Sequence, residues 1–424
     1  MKMRALWVIL GVVCVLVLVK MGISSAQDDT VFFGFNVPLS GAYSDQGEDQ
    51  AKTCKLAVDE INAQGGVLGK RIVSTIKNTE TKADVAASNA EAFYTQDKAV
   101  MVTGGSSSAE AVAVGAVAGK NKKVFMVGLS HSNATTGFEI DPKTGQLTDQ
   151  KVNRYMFRWY NNARMSAHAS ANYLLEKFGD KAKYYYITAD YTWGHSVEKS
   201  FRDVLEKAGC QTVGAERTPL GEKNYMEYLQ KAKAAKPDVL VLVHFGKDMI
   251  FSIKQAAAMG LRKDMKIVVP LIELHMAKGA GAEAMEGVIG TTPWYWGLQN
   301  TYAGSKEFAM KFRARYGQPP GDAAAAVWVA IHQYVDAVRR AKSFDAPLVI
   351  KALEGHTFTL LKGEESWRAW DHQAMTSTLV VEGKSKADMK DEWDLLKVIS
   401  EVPGDTVAAT QEENPVKWKP EENF

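Results

Sequence analysis

Cysteine is scarce: the chain holds three in 424 residues, Cys14, Cys54 and Cys210. Cys14 sits in an apolar leader. The other two lie far apart in separate helix–strand patterns, which excludes a disulfide framework and reads as two buried thiols. Long apolar runs are lacking beyond residue 20, so no later segment is expected to cross a membrane and the mature chain should be soluble. Neither sign of charge dominates, with 51 basic and 49 acidic residues. That leaves no basic field to hold nucleic acid or anionic lipid. Motifs of nucleotide and acyl-transfer chemistry are missing too. No Gly-x-Gly-x-x-Gly follows a strand, no complete phosphate loop is present, and no Gly-x-Ser-x-Gly elbow occurs. The eight histidines are scattered, without the close pairs of a zinc helix. Neither an enzyme nor a bound cofactor or metal is therefore expected.

What is present begins with a leader. Met1-Lys2-Met3-Arg4 is a short basic start, Ala5 to Val19 is apolar, and Lys20 ends the run. Ser24-Ser25-Ala26 puts small residues before a cut at Gln27. This is the layout of a cleaved secretory signal over residues 1–26, and it predicts an exported, periplasmic protein. A membrane anchor is the rival reading, but the run is about 15 residues where a span needs roughly 20. Lipidation fits poorly, because Cys14 lies inside the run behind the large Val13. Without Lys2, Arg4 and Lys20, 48 basic residues face 49 acidic ones.

About 400 residues remain, enough for two domains. They repeat one unit, an apolar strand followed by an amphipathic helix. Strand 31–37 leads to helix 47–63, which Gly65-Gly66 ends. Strand 71–78, helix 83–96, strand 99–103, helix 109–120 and strand 124–129 follow. A polar stretch, 135–153, reads as an inserted loop. The rhythm restarts with helix 166–178, strand 183–188, helix 196–208 and strand 212–217. Helix 225–234, strand 238–245, helix 248–259, strand 266–271 and strand 288–292 complete it. Beyond, the chain reads as mostly helical through Tyr316, 323–341 and 348–353. Val239-Leu-Val-Leu-Val243 is apolar throughout, as a strand covered on both faces should be. Alternating strands and helices predict an α/β chain of two doubly wound, mainly parallel sheets. Ligands of such sheets bind at the carboxyl ends of the strands, in the crevice between lobes.

Candidate binding residues follow from that placement. Thr103-Gly-Gly-Ser-Ser-Ser108 joins a strand to a helix. Ser107 and Glu110 have the spacing of a capping box, and Ser106 and Ser107 stand where free N–H groups meet an anionic ligand group. Ser130 and Ser132 end the next strand on the same side. In the second half, Trp193 in Asp190-Tyr-Thr-Trp-Gly194 and Phe245 could wall an apolar ligand. Inter-lobe packing is an equally good account of both. Glu273 follows another strand end and could pair an ammonium, although a solvated loop carboxylate is the more usual case.

Pro38-Leu-Ser-Gly41 and Ala57-Val-Asp-Glu-Ile-Asn-Ala-Gln-Gly-Gly-Val-Leu-Gly-Lys70 carry a resemblance. Gly105-Ser-Ser-Ser108, Asp190–Gly194 and Arg368-Ala-Trp-Asp-His-Gln373 support it. Over about 31–381 the chain resembles the leucine/isoleucine/valine-type periplasmic binding proteins, substrate-binding components of branched-chain amino-acid ABC transporters. The resemblance implies a type I periplasmic binding protein: two Rossmann-like lobes joined by three crossovers, here near 152–159, 287–294 and 361–370. Lobe I is then expected over 27–153 and 287–360 and lobe II over 154–286 and 361–400; the Pro- and Glu-rich composition of the end predicts an extended surface tail over 401–424. The resemblance further implies a small-molecule ligand, a membrane permease as partner, hinge closure, and a monomer. Ser106 would match the carboxylate-binding serine, with Ser130 and Ser132 as further ligand contacts. Trp193 would cover the ligand, and Phe245 stands where the family has a tyrosine. Leu271 and Glu273 compete for the family's acidic position. Gln46, with Tyr43 nearby, replaces an aromatic of the first loop. Aromatic residues near the expected crossovers, Tyr160 among them, favour an aromatic acid, an amide or a larger apolar molecule over leucine. The amide-sensing regulators share the frame, and a larger apolar or lipid-like ligand would suit the aromatic weight.

Overall fold

A computed structural model describes residues 29–141, 144 and 146–424. The leader lies outside the described residues, and among those described no helix is long and apolar enough to cross a membrane.

The first sheet has the order β2-β1-β3-β4-β7 and is parallel throughout. Its strands are β1 (Thr30–Val37), β2 (Arg71–Asn78), β3 (Met101–Gly104), β4 (Val124–Val127) and β7 (Met156–Arg158). Between β4 and β7, the expected polar loop contains a short hairpin, β5 (Phe138–Ile140) and β6 (Leu147–Gln150). The second sheet has the order β17-β16-β12-β11-β10-β8-β9. Five of its strands are parallel: β8 (Lys183–Ala189), β9 (Gln211–Thr218), β10 (Val239–Val243), β11 (Lys266–Val269) and β12 (Ile289–Thr292). Every residue of β10 is buried, which explains its unbroken Val-Leu-Val-Leu-Val: helices cover both faces. A three-stranded sheet, β13 (Thr357–Phe358), β14 (Glu365–Trp367) and β15 (Ala374–Met375), leads into two antiparallel additions. These are β16 (Thr378–Gly383), beside β12, and β17 (Leu396–Val402).

The helical stretch expected after residue 300 belongs to the first lobe. Helix Asp322–Ala341 packs on helix Ser44–Ala63. Its run Ala323–Ala326 is fully buried, so small side chains bring the two backbones close. Two lobe boundaries differ from expectation. Residues 156–158 pair in the first sheet, and 289–292 pair in the second. Both strands are short and buried, and their partners are distant in sequence, so neither local pattern nor length assigns them to a sheet. The chain thus passes to the second lobe between Arg158 and Ala163 and leaves it again after Thr292.

Cys54 and Cys210 are free and buried. Residues 403–424 do not simply lie extended on the surface. Val407 and Val416 are buried, Trp418 lies on His372 (4.7 Å), and the Arg154 guanidinium sits 4.5 Å over Phe424. The Asn414 side chain donates to the Thr136 carbonyl at 3.0 Å, and Glu413 pairs with Arg164 at 2.7 Å. The segment straps the place where the chain first crosses between lobes.

Candidate functional site

The strand ends of the two sheets face one another, and the loops after them build one cavity. It is lined by Tyr43, Ser106, Ser107, Ser108, Leu129, His131, Tyr191, Trp193, Phe245 and Leu271. All six loops that line it follow a strand's carboxyl end, the placement doubly wound sheets impose. Glycines allow the close approach: at Gly104 a Cβ would fall 1.9 Å from the Asn36 carbonyl oxygen, and φ is +131°. Gly246 (φ +61°) lets the second lobe come against Tyr43. The lobes are in direct contact, and the walls close on about 10 Å³, room for about one water. Admitting an organic ligand means separating these walls.

Side-chain contacts cross between the lobes here. The Tyr43 and Tyr191 hydroxyls are 2.8 Å apart. Trp193 Nε1 donates to His131 Nδ1 at 2.8 Å. Gln46 Nε2 donates to Glu273 Oε2 at 2.9 Å. An aromatic wall joins them: Tyr43 meets Phe245 edge-on at 5.2 Å, and Trp193 stacks on Tyr191 at 5.8 Å. An indole N–H only donates, so His131 Nδ1 must accept. The ring proton then lies on Nε2, which donates to Ser166 Oγ at 2.8 Å. Burial, and then the nearby Arg158, hold the His131 pKa well below its usual value, so the ring is neutral.

The first-lobe serines have separate tasks. Ser107 forms the expected capping box with Glu110 at the start of helix Ser108–Asn121. Ser106 Oγ donates to Gln50 Oε1 at 2.8 Å. Ser130 and Ser132, expected as ligand contacts, do not line the cavity. Their hydroxyls meet Thr135 Oγ1 at 2.6 and 3.1 Å. Their carbonyls accept from Arg158, whose buried guanidinium also reaches Thr136 Oγ1 and Gln373 Oε1. Arg158 is the organiser of that loop, and burial draws its pKa down to about 9.

Gln46, Glu273 and Tyr160 also lie outside the lining. They belong to a buried polar cluster behind it. Glu273 caps helix Leu274–Ala280, accepting from the His275 and Met276 amides. Asp49 accepts from the Gly321 amide at 2.7 Å and lies 3.3 Å from His275 Nε2. Asp322 accepts from the Tyr160 hydroxyl (2.6 Å) and from Thr292. Burial raises the pKa of both Glu273 and Asp322. Burial opposes protonation of His275, but the carboxylates of Asp49 and Glu273 outweigh it and lift its pKa to about 10. A raised pKa stabilises the fold where the imidazole is charged. The advantage of the native chain over His275→Gln is therefore expected to be complete below about pH 6.5. It should disappear as pH rises through about 10. Guanidinium unfolding at pH 6, 8 and 10 measures it, and a pH-independent difference refutes it.

The site thus gathers Tyr43, Ser106, Ser107, Trp193 and Phe245 of the expected residues. His131, Gln50 and Arg158 were not foreseen. A Ser-His-Ser run after a strand was visible, but only the fold shows that the imidazole bridges to Trp193.

The periplasmic binding protein family model matches residues 30–388. A Leu/Ile/Val-binding protein homolog 7 of Brucella melitensis is 24% identical over 343 residues, 78% of this chain and 82% of that protein. A periplasmic binding protein of Burkholderia mallei superposes with TM-score 0.83 at 27% identity, covering 92% of this chain and all of the other. An amino acid ABC transporter substrate-binding protein of Pseudomonas fluorescens does so with TM-score 0.80 at 27% identity, over 88% of this chain and 95% of that one. With two parallel-sheet lobes, repeated crossing of the chain between them and a cavity at their facing strand ends, the chain belongs to the periplasmic binding protein family.

Proposed function

We propose that the chain is the solute receptor of an ABC-type importer, exported to the periplasm and acting there as a monomer. It closes by hinge motion on an amino acid, an amide, or an aromatic or apolar carboxylate, and a membrane permease reads the closed form. One observation carries this reading: a single cavity takes its walls from both lobes, so a molecule bound there favours whichever hinge angle lets both walls touch it. A micromolar affinity needs about 8 kcal/mol, which a few charge-assisted hydrogen bonds and buried aromatic contacts supply.

A thermal-shift screen of amino acids, amides, urea, aromatic acids and lipids tests it, since a ligand bound to the folded state raises the melting temperature by mass action. No shift with any class would sink the receptor reading. Within that reading, Ser106→Ala is expected to weaken carboxylate binding by about 1–3 kcal/mol, the usual cost of stranding a charged partner. Calorimetry on the screened ligand measures it, and an unchanged affinity places the carboxylate elsewhere.

A further inference from the structure

The chemistry of the cavity narrows the ligand further, on the basis of the receptor reading above. Among the described residues, the cavity is lined by hydroxyls, one imidazole and apolar or aromatic rings, and by no carboxylate. The acidic groups nearby stand behind the lining and not in it. Glu273 is fully buried, its Oε2 accepting two helix-start amides and the Gln46 amide. Its Oε1 has no hydrogen-bond partner among the described residues and faces Gly321, 2.5 Å from where a Cβ there would stand. Turning Glu273 into the cavity would strip that helix start of its cap. Glu110 accepts from the Ser107 amide, and Asp248 from the Gly221 amide at 2.9 Å. The neutral His131 already spends both ring nitrogens.

The first-lobe side of the cavity favours negative charge. Ser106, Ser107 and Ser108 line it at the start of a 14-residue helix, where amides and dipole favour an anion. Beside them Gln50 is fully buried, with its Oε1 taken by Ser106. Its Nε2 has no acceptor among the described residues. That donor lies against Gly128, next to the lining residue Leu129. Arg158 adds a buried cation behind the adjacent loop, and its carboxylate neighbour Asp371 is already paired with Arg368.

From this juxtaposition we infer that the site takes a carboxylate without an α-ammonium group: an aryl- or alkyl-carboxylic acid. Its carboxylate sits on Ser106–Ser108 with Gln50, and its tail lies among Tyr43, Trp193, Phe245 and Leu271. An α-amino acid would bring an ammonium into a cavity that offers it no anionic partner, and an unpaired buried charge is costly.

Matched ligand pairs test this by calorimetry on the purified chain. The probes are 3-phenylpropionate with L-phenylalanine, 4-methylpentanoate with L-leucine, and 3-phenylpropionate with 3-phenylpropionamide. In each pair the plain carboxylate is expected to bind about ten-fold tighter or more, the scale of an unpaired charge or a lost charge-assisted bond. Amino acids that bind as tightly as their des-amino partners overturn the inference while leaving the receptor reading intact. So does an amide that equals the acid, or a screened ligand with no carboxylate. Absence of any ligand across the broad screen overturns the receptor reading itself.

Discussion

Replacing Arg158 by Met is expected to destabilise the chain by about 3 kcal/mol or more, as four acceptors lose a donor at once. Two of them are backbone carbonyls, of Ser130 and Ser132; the others are Gln373 Oε1 and Thr136 Oγ1. Arg158 itself is fully buried, so water cannot take its place. Removing the cation also removes its own desolvation cost, which keeps the net effect below the sum of four stranded groups. Binding should fall too, because the loop from Leu129 to Thr136 carries a wall of the cavity. Arg158→Lys should recover less than half of the loss: an ammonium presents three donors from a point, whereas the guanidinium fork reaches carbonyls and side chains in several directions. Urea unfolding of the three chains measures this. A Met variant within about 1 kcal/mol of the native chain would show that the loop holds without the fork.

Trp193→Ala carries the largest effect expected on binding, about 100-fold for 3-phenylpropionate, in the range of a buried aromatic hot spot. The side chain is 2% exposed, stacks on Tyr191, approaches Phe245 and donates to His131 across the lobes. Its loss removes a wall and an interlobe contact together. Trp193→Phe keeps an apolar ring and gives up the N–H, so a loss of about ten-fold or less separates the wall from the hydrogen bond. Calorimetry below the melting temperature of each variant reads both. An alanine variant that binds within three-fold of the native chain would remove Trp193 from the site.

The fold was legible where its signals are local. Val239–Val243 announces a central strand by composition, and Ser107 with Glu110 announces a helix start by spacing. Both were read correctly, as was the placement of Ser106, Trp193 and Phe245 at facing strand ends. What escaped depends on partners far along the chain. Strand β16 is recognisable only beside β12, some 90 residues earlier. Ser130 and Ser132 offer hydroxyls in the sequence, but in the fold Thr135 meets those hydroxyls and Arg158, 28 and 26 residues away, takes their carbonyls. For Glu273, the sequence shows a carboxylate after a strand end, and only the fold shows its Oε2 held by its own helix start and Gln46. Polar side chains have several possible partners, and only the tertiary structure decides among them.

The discontinuous build of each lobe also sets an order of biosynthesis. The first sheet is complete in strands by Arg158, yet its covering helix is Asp322–Ala341. The second sheet waits for β16 and β17, which end at Val402. Neither core can be sealed while the last quarter of the polypeptide is still being made. Such long-range closure is slow. Both halves are therefore closed by the same C-terminal stretch, 322–402, and lose their seal together when it is removed.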